Sequence, residues 1–353
     1  MIKFSICIPN FNYANYIGQT IESVLCQTYK DFEIVIVDNA STDNSWQVIQ
    51  SYASKDERIK AYRNSYNIGF SLNLDRTASL ANNEFLLMLS SDDTMKPTAL
   101  EKYHSILVHI EKKYWEKILL CSAIDIIDSN SIVTETWYKS RFHDLNPVSI
   151  FNLTEFDANI FEYNATELMR DIFPRFSVPG PFNSTLYSKG LYECVGGYSS
   201  NNPIGPDAHF AYKCLFMESH VIFYNKPLFN YRVHNLGQLN LVSKQRNINI
   251  LFDRYIFSNA YSDNQLSKIG LKREDYQRAT IETDCIRGAI NALGSGDWIY
   301  ATQHVNFAYA AYPHIAFRHV KLNLLKAFLV TGPFAILVVK LIYIFRFKQR
   351  YFK

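Results

Sequence analysis

Two glycine signatures are missing from this chain. No Gly-x-Gly-x-x-Gly follows its first apolar run and no Gly-x-x-x-x-Gly-Lys loop occurs, so neither a Rossmann dehydrogenase nor a P-loop enzyme is supported. Cys-x-x-Cys pairs are also missing. The six cysteines (Cys7, Cys26, Cys121, Cys194, Cys214 and Cys285) are scattered, several within apolar segments, and reduced cytosolic thiols are their simplest account. Acidic residues stop at Asp297, whereas Arg318, Lys321, Lys326, Lys340, Arg346, Lys348, Arg350 and Lys353 all lie beyond it. A net charge of +3 therefore conceals a chain that carries about 28 − 33 = −5 before Arg318. A nucleic-acid partner is not expected from that distribution, because it would call for positive charge spread over a folded surface; contact with anionic lipid is. No secretory signal is expected either, since Lys3 is followed only by a strand-length apolar run before Pro9 and Asn10. One long apolar run stands out, Ala327 to Phe345, and it is interrupted by Gly332-Pro333 and Lys340. An interfacial helix pair or re-entrant anchor fits it better than a full membrane span, and a C-terminal helix packed on the domain is the alternative.

What is present is ample. At 353 residues the chain is long enough for two domains, and its 24 Tyr and 25 Phe suit large packed interiors or rings that face sugars or lipid. Apolar runs at Phe4 to Ile8, Phe32 to Val37, Ile59 to Tyr62 and Phe85 to Leu89 read as strands. They alternate with helical spacing over Tyr16 to Gln27, around Trp46, Val48 and Ile49, and over Leu72 to Leu80. Alternation at that interval predicts an α/β fold with a parallel, helix-covered sheet, and it gathers Pro9 to Asn12, Asp38 to Asp43 and Ser90 to Asp93 on one edge.

The run Glu84 to Leu89 ends abruptly in Ser90-Ser91-Asp92-Asp93. Two adjacent anions repel, and a divalent cation with hard oxygen ligands is a natural compensation that can also bridge phosphates. The other reading is a solvated turn in which Asp93 or Thr94 caps the helix beginning near Pro97. Asp38 has the same two readings, as a ligand-facing carboxylate at a strand end or as a turn-former beside Ser41, Thr42 and Asp43.

Five ordered blocks resemble the inverting glycosyltransferases of family 2, whose nucleotide-sugar-binding fold is called GT-A. They are Ser5-Ile6-Cys7-Ile8-Pro9-Asn10-Phe11-Asn12, Ile21-Glu22-Ser23-Val24-Leu25-Cys26-Gln27-Thr28, Ile36-Val37-Asp38-Asn39-Ala40-Ser41-Thr42-Asp43, Asn67-Ile68-Gly69, and Leu89-Ser90-Ser91-Asp92-Asp93. The variant is most similar to bacterial enzymes that build surface polysaccharide or O-antigen. The resemblance implies that Pro9, Asn10, Phe11, Asn12 and Asp38 hold the nucleotide base, with Asp38 accepting the uracil imide N–H. Asn67 and Arg63 would lie beside base or phosphates. It also implies that Ser90, Ser91 and Asp92 face the nucleotide-sugar, and that Asp92, Asp93 and His234 bind Mn2+ or Mg2+. The family's metal motif is usually Asp-x-Asp-Asp, and this chain has Ser90 at its first position.

Further along, Gly205-Pro206-Asp207-Ala208-His209 matches the place where the family carries its general base at a helix start, which implies Asp207 as the catalytic residue. On residue type alone Asp207 is equally a helix cap, and His209 has no assigned role. Tyr231-Arg232-Val233-His234 resembles the family's Tyr-Arg-x-His element, after an expected strand pair at Val221 to Tyr224 and Leu228 to Arg232. Residues Tyr138 to Glu162 show no period and are expected as a loop-rich flap near the acceptor. The expected organisation is a catalytic domain over 1–238 (a nucleotide-binding half, 1–95, and an acceptor-binding half, 96–238), a helical extension over 239–320, and a basic membrane-associating tail over 321–353. The implied partners are a UDP-sugar or other nucleotide-diphosphate sugar, a glycan or polyprenyl-diphosphate-linked acceptor, and an anionic membrane surface. The expected location is the cytoplasm, peripheral to the inner face of the cell membrane. A catalytically silent sugar-nucleotide-binding or scaffold protein, and a sugar-phosphate nucleotidyltransferase, are the competing readings.

Overall fold

The computed structural model describes residues 2–137, 145–198, 205–234 and 243–332, with 334 and 336 besides. It forms two compact units, one of Met1–Asn201 with Pro206–Asn240 and the other of Asn202–Gly205 with Leu241–Lys353.

In the first unit, β1 (Phe4–Asn10), β2 (Phe32–Asp38), β3 (Ile59–Arg63) and β4 (Phe85–Met88) run parallel in the order β3-β2-β1-β4. Each residue of β1 and β4 is buried, as expected of parallel strands covered on both faces. The covering helices are α1 (Ile17–Leu25), α2 (Ser45–Ala53) and α3 (Phe70–Ser79), and α1 turns Ile17, Thr20, Ile21 and Val24 inward. Register places Asn10 opposite Asp38 and Asp38 opposite Arg63, so three polar side chains meet where the strands end.

Beyond β4 the sheet becomes mixed. The remaining strands are β5 (Thr94–Met95), β6 (Ile118–Ile127), β7 (Val133–Trp137), β8 (Ile160–Asn164), β9 (Leu186–Ser188) and β10 (His220–Arg232). The order continues β4-β9-β6-β10-β5, with β7 on β6 and β8 on β10. Helices α4 (Ala99–Leu107), α5 (Leu153–Phe156), α6 (Ala165–Ile172), α7 (Lys189–Cys194) and α8 (Pro206–Phe216) complete the unit. The expected strand pair at 221–232 is one continuous strand. Pro227, which has no N–H to donate, sits at register shifts on either side, and β10 tracks β6 past that irregularity. The expected flap is also more ordered than its lack of period suggests. Residues 138–144 lie outside the described residues, but the buried Glu162 carboxylate on β8 accepts the N–H groups of Ile150, Phe151 and Leu153 and so fixes that segment.

The second unit is helical: α9 (Ser243–Ala260), α10 (Asp263–Lys268), α11 (Arg273–Thr280), a π-turn at Ile281–Ile286, α12 (Arg287–Gly294), α13 (Trp298–Ala311), α14 (Pro313–Ala316) and α15 (Val320–Leu329). Gly296 (φ 85°) makes the turn between α12 and α13, and the Asp297 carboxylate then caps α13 by accepting from Tyr300 N at 2.9 Å. Among the described residues no helix is long and apolar enough to cross a membrane, and most of the Ala327–Phe345 run lies outside them.

Candidate active site

One part of the site is a polar knot at the ends of β1, β2 and β3. Asp38 is fully buried, and its carboxylate accepts four hydrogen bonds. Asn10 Nδ2 (2.9 Å) and Ser41 Oγ (2.5 Å) donate to Oδ1, and Ser41 N (3.1 Å) and Arg63 Nε (3.1 Å) donate to Oδ2. Four donors fill the lone-pair sites of a carboxylate. Acceptance of a uracil imide N–H by Asp38 therefore requires one donor to leave, and Arg63, whose side chain is 42% exposed, is the one open to solvent. Arg63 also donates to the Ser41 carbonyl and lies 5.7 Å from the Trp46 ring centre.

The loop after β1 is tied to the same knot. Asn12 adopts a left-handed backbone (φ 60°), with its N–H on Ser41 Oγ at 2.9 Å and its Oδ1 accepting from Thr42 N at 2.8 Å. Pro9 and Asn10 are buried at the end of β1, and Phe11 is exposed beside them. Asn67 shapes its own turn, with Oδ1 accepting from Gly69 N and Asn39 Nδ2.

The second cluster lies beyond β4. Asp93 N closes a turn onto the Ser90 carbonyl at 3.2 Å, and Thr20 Oγ1 of α1 donates to the carbonyls of buried Ser91 (3.0 Å) and of Asp93 (2.8 Å), fixing the carboxylates in place. Asp92 Oδ2 lies 3.1 Å from His234 Nε2. The Asp93 Oδ1 accepts from Arg232 N at 2.8 Å, whereas its Oδ2 is buried without a partner at ordinary hydrogen-bond length. Ser90 and Asn183 are nonetheless near enough to favour its charged form. Burial, then the charge of Asp92, holds the Asp93 carboxyl well above the usual carboxylate range. Burial also raises Asp92, against the opposing hydrogen bond from His234.

Sequence reasoning overlooked several neighbours. Arg232 is buried and spends its guanidinium on Asp92 O (2.8 Å), Asp128 O (3.2 Å), Ser131 Oγ (2.9 Å) and Gln19 Oε1 (3.0 Å), with its charge 5.1 Å from the Tyr16 ring centre. Tyr16 and Tyr13 flank His234 at 4.6 and 5.9 Å between ring centres. Burial, then Asp92 and Asp93, pushes the Tyr13 hydroxyl up, which puts that phenol beside both carboxylates. Arg232 stood two residues before His234 in the quoted motif, so its place was visible although its partners were not.

Asp207 lies in the first turn of α8, half-buried, in a cavity lined with Val178, Pro179, Gly180, Phe182 and Tyr198. Burial raises its carboxyl, and the N–H groups of Ala208 and of Asp207 itself pull the other way. His209 is also half-buried, and burial followed by the charge of Lys213 lowers its imidazole to about 4. The Phe182–Ser184 turn joins the two regions, since Phe182 lines the Asp207 cavity while Asn183 lies by Asp93.

Among the described residues no group of three metal-ligating side chains gathers. Asp92 and His234 offer one hard oxygen and one imidazole nitrogen side by side, a donor pair that suits a divalent cation arriving with a diphosphate that completes its shell.

Residues 5–111 match the family model described as glycosyl transferase family 2. The chain is 25% identical over 256 residues to glycosyltransferase GlyA of Streptococcus pneumoniae, covering 71% of this chain and 33% of that protein. It is 38% identical over 89 residues to the Escherichia coli UDP-Glc:alpha-D-GlcNAc-diphosphoundecaprenol beta-1,3-glucosyltransferase WfaP, covering 25% of this chain and 35% of that one. The chain thus spans about a third of the length of each of these relatives. The structure of S. aureus TarS in complex with UDP superposes with a TM-score of 0.60 at 15% identity, over 97% of this chain and 91% of the other, a likeness of fold. The match to glycosyl transferase family 2 thus spans residues 5–111, and beyond them the likeness to TarS is one of fold.

Proposed function

We propose that the chain is an inverting glycosyltransferase that moves a sugar from a nucleotide-diphosphate sugar, a UDP-sugar first among them, to a hydroxyl of a glycan or polyprenyl-linked acceptor in bacterial surface-polysaccharide synthesis. What supports this reading is that the Asp38 knot and the Asp92–His234 pair follow the C-terminal ends of parallel strands on either side of β1, the edge where open α/β sheets take their ligands. The bound forms named for TarS, UDP and UDP-GlcNAc, and the undecaprenyl-linked acceptor in the name of WfaP, favour the same donor and acceptor classes.

In this reading Asn10, Asn12, Asp38 and Arg63 hold the nucleoside, and Asp92 with His234 faces the diphosphate. Asp207 takes the proton from the acceptor hydroxyl as its oxygen forms a bond to the anomeric carbon. The bond from that carbon to the diphosphate breaks on the opposite face, and the nucleoside diphosphate leaves with the electron pair, so configuration inverts. Asp207 is suited to the role because burial raises its affinity for a proton while the apolar walls around it keep bulk water away. Mn2+ or Mg2+ at Asp92 and His234 would supply countercharge to the departing diphosphate. The membrane partner is an anionic surface at the inner face of the cell membrane, met by residues 321–353.

The test is a thermal screen of UDP-, GDP- and dTDP-sugars with and without Mn2+, followed by product analysis with a polyprenyl-diphosphate-linked acceptor. A UDP-sugar that raises the melting temperature and yields an inverted glycoside supports the reading. Binding without any turnover would favour a silent scaffold, release of pyrophosphate a nucleotidyltransferase, and no shift with any nucleotide-sugar would overturn it.

A further inference from the structure

Helix α15 of the second unit is apolar on two faces. Leu322 and Leu329 are buried in that unit's core, with Leu325 and Phe328 packed against it. Away from the core, Val320 (70% exposed) and Leu324 (66%) stand four residues apart on α15, with Phe317 (68%) in the turn that precedes the helix and Val330 (82%) at its C-terminal end. Residues four apart share one side of a helix, so Val320 and Leu324 form one apolar strip, and Phe317 and Val330 extend it at the two ends. Isolated exposed apolar side chains are ordinary, but a row of large ones is a surface meant to be covered.

Charge tells what covers it. Arg318 and Lys321 are exposed within the row, Lys321 with 74% of its side chain open, and Lys326 lies 3.8 Å from the Tyr309 ring centre close by. Glu282 lies 3.3 Å from His319 Nε2 and 3.9 Å from Lys321 Nζ, and no acidic residue follows Asp297 in the sequence. A second copy of the chain would be a poor cover, because a two-fold contact through this row would bring Arg318 and Lys321 close to their own copies. Apolar side chains interleaved with bases suit a helix lying in the headgroup layer of an anionic bilayer.

We propose that the Phe317–Val330 face is a docking surface for anionic lipid, with α15 parallel to the membrane plane, the apolar row entering the acyl boundary and Arg318 and Lys321 meeting headgroup phosphates. This deepens the membrane contact of the proposed function, on which it rests, and narrows it to residues 317–330, where the tail begins. In that pose a lipid-linked acceptor is held in the same plane as the protein.

The test is co-sedimentation of the full chain with vesicles of phosphatidylcholine alone and of equal parts phosphatidylglycerol and phosphatidylcholine. Binding is expected to the anionic vesicles and to weaken with added salt. The double variant Val320→Ser with Leu324→Ser should lose at least about tenfold in partitioning, and Lys321→Gln about fivefold. All three positions are exposed, and circular dichroism melts check that the variants remain folded. Equal binding to both vesicle types, or variants that bind as well as the parent, would overturn the proposal. A concentration-dependent dimer abolished by the same variants, without vesicle binding, would reassign the face to self-association. UDP affinity measured on the same samples reports on the glycosyltransferase reading separately, so failure of one leaves the other legible.

Discussion

Replacing Ser41 by alanine tests the polar knot at its least conspicuous member. The hydroxyl donates to buried Asp38 at 2.5 Å, accepts Asn12 N at 2.9 Å, and accepts a second, longer contact from Asn10 Nδ2 at 3.2 Å. The first is a bond to a charged group, worth about 1.5–3 kcal/mol, and the second a neutral bond worth about 0.5–1.5 kcal/mol. Asn10 keeps its bond to Asp38 and adds little. Asp38 retains three donors, and Asn12, being exposed, recovers part of its loss from water. The net cost should be about 2–4 kcal/mol, which for a unit of this size is a fall in melting temperature of about 4–16 °C. Function should suffer as well, because Asn12 is held in a left-handed conformation by ties to Ser41 and Thr42 and loses the one to Ser41. If relaxation of that loop costs binding about 1.4 kcal/mol, the Kd for UDP rises about tenfold. Urea melts and titration calorimetry with UDP measure the two effects. A midpoint displaced by less than about 0.5 kcal/mol, with an unchanged Kd, would refute both the weight given to this knot and its place beside the nucleotide.

The parallel half of the first unit was legible because its signals are local. Largely apolar runs fixed β1, β2 and β4, and the polar residues ending them fell on one edge by the geometry of parallel strands alone. The mixed half was harder to read. β5 and β9 are two and three residues long, too short for any period, and they exist because longer neighbours supply their partners. The site divides along the same line. Asp92 was visible as the end of a strand, but Arg232, which holds the Asp92 carbonyl and Gln19 together, makes contacts across more than a hundred residues of chain. No pattern within a window of sequence reports such a contact. Ser41 shows a finer limit: the sequence marks a polar turn at Ser41, Thr42 and Asp43 without dividing the work among them, and in the structure the Ser41 hydroxyl serves Asp38 and Asn12 while Asp43 accepts from Ser45 N at 2.9 Å at the start of the next helix.

Asp207→Asn should lower kcat by about a thousandfold and leave UDP affinity unchanged, as separate kinetic and calorimetric measurements would show. Because burial raises this carboxyl, the acid limb of the rate profile should lie above the ordinary Asp value, with activity falling as pH drops through it. A raised carboxyl favours the folded state only while protonated, and that contribution is lost as pH rises through the folded pKa; the Asn variant should therefore melt no lower than the parent at neutral pH. Gly180→Ala would place a Cβ 2.5 Å from Cys121 Sγ and 2.6 Å from its Cβ, so a loss of about 1–3 kcal/mol is expected in chemical denaturation. The departure from the family's metal motif supports the remaining prediction. Ser90 stands where the motif carries an acid, close to Asp93, and both Asp92 and Asp93 already have raised carboxyls with Arg232 as the nearby counter-charge. Ser90→Asp adds a third anion to a buried pair. Without a cation the added repulsion should cost about 1–4 kcal/mol, seen as a lower melting temperature in EDTA. With Mn2+ present the same carboxylate becomes a further hard ligand, so the stabilisation on adding Mn2+ and UDP should exceed that of the parent. A variant that melts like the parent in EDTA and gains no more from Mn2+ would mean that position 90 does not face the carboxylates, and that the motif's first residue has no electrostatic part in this protein.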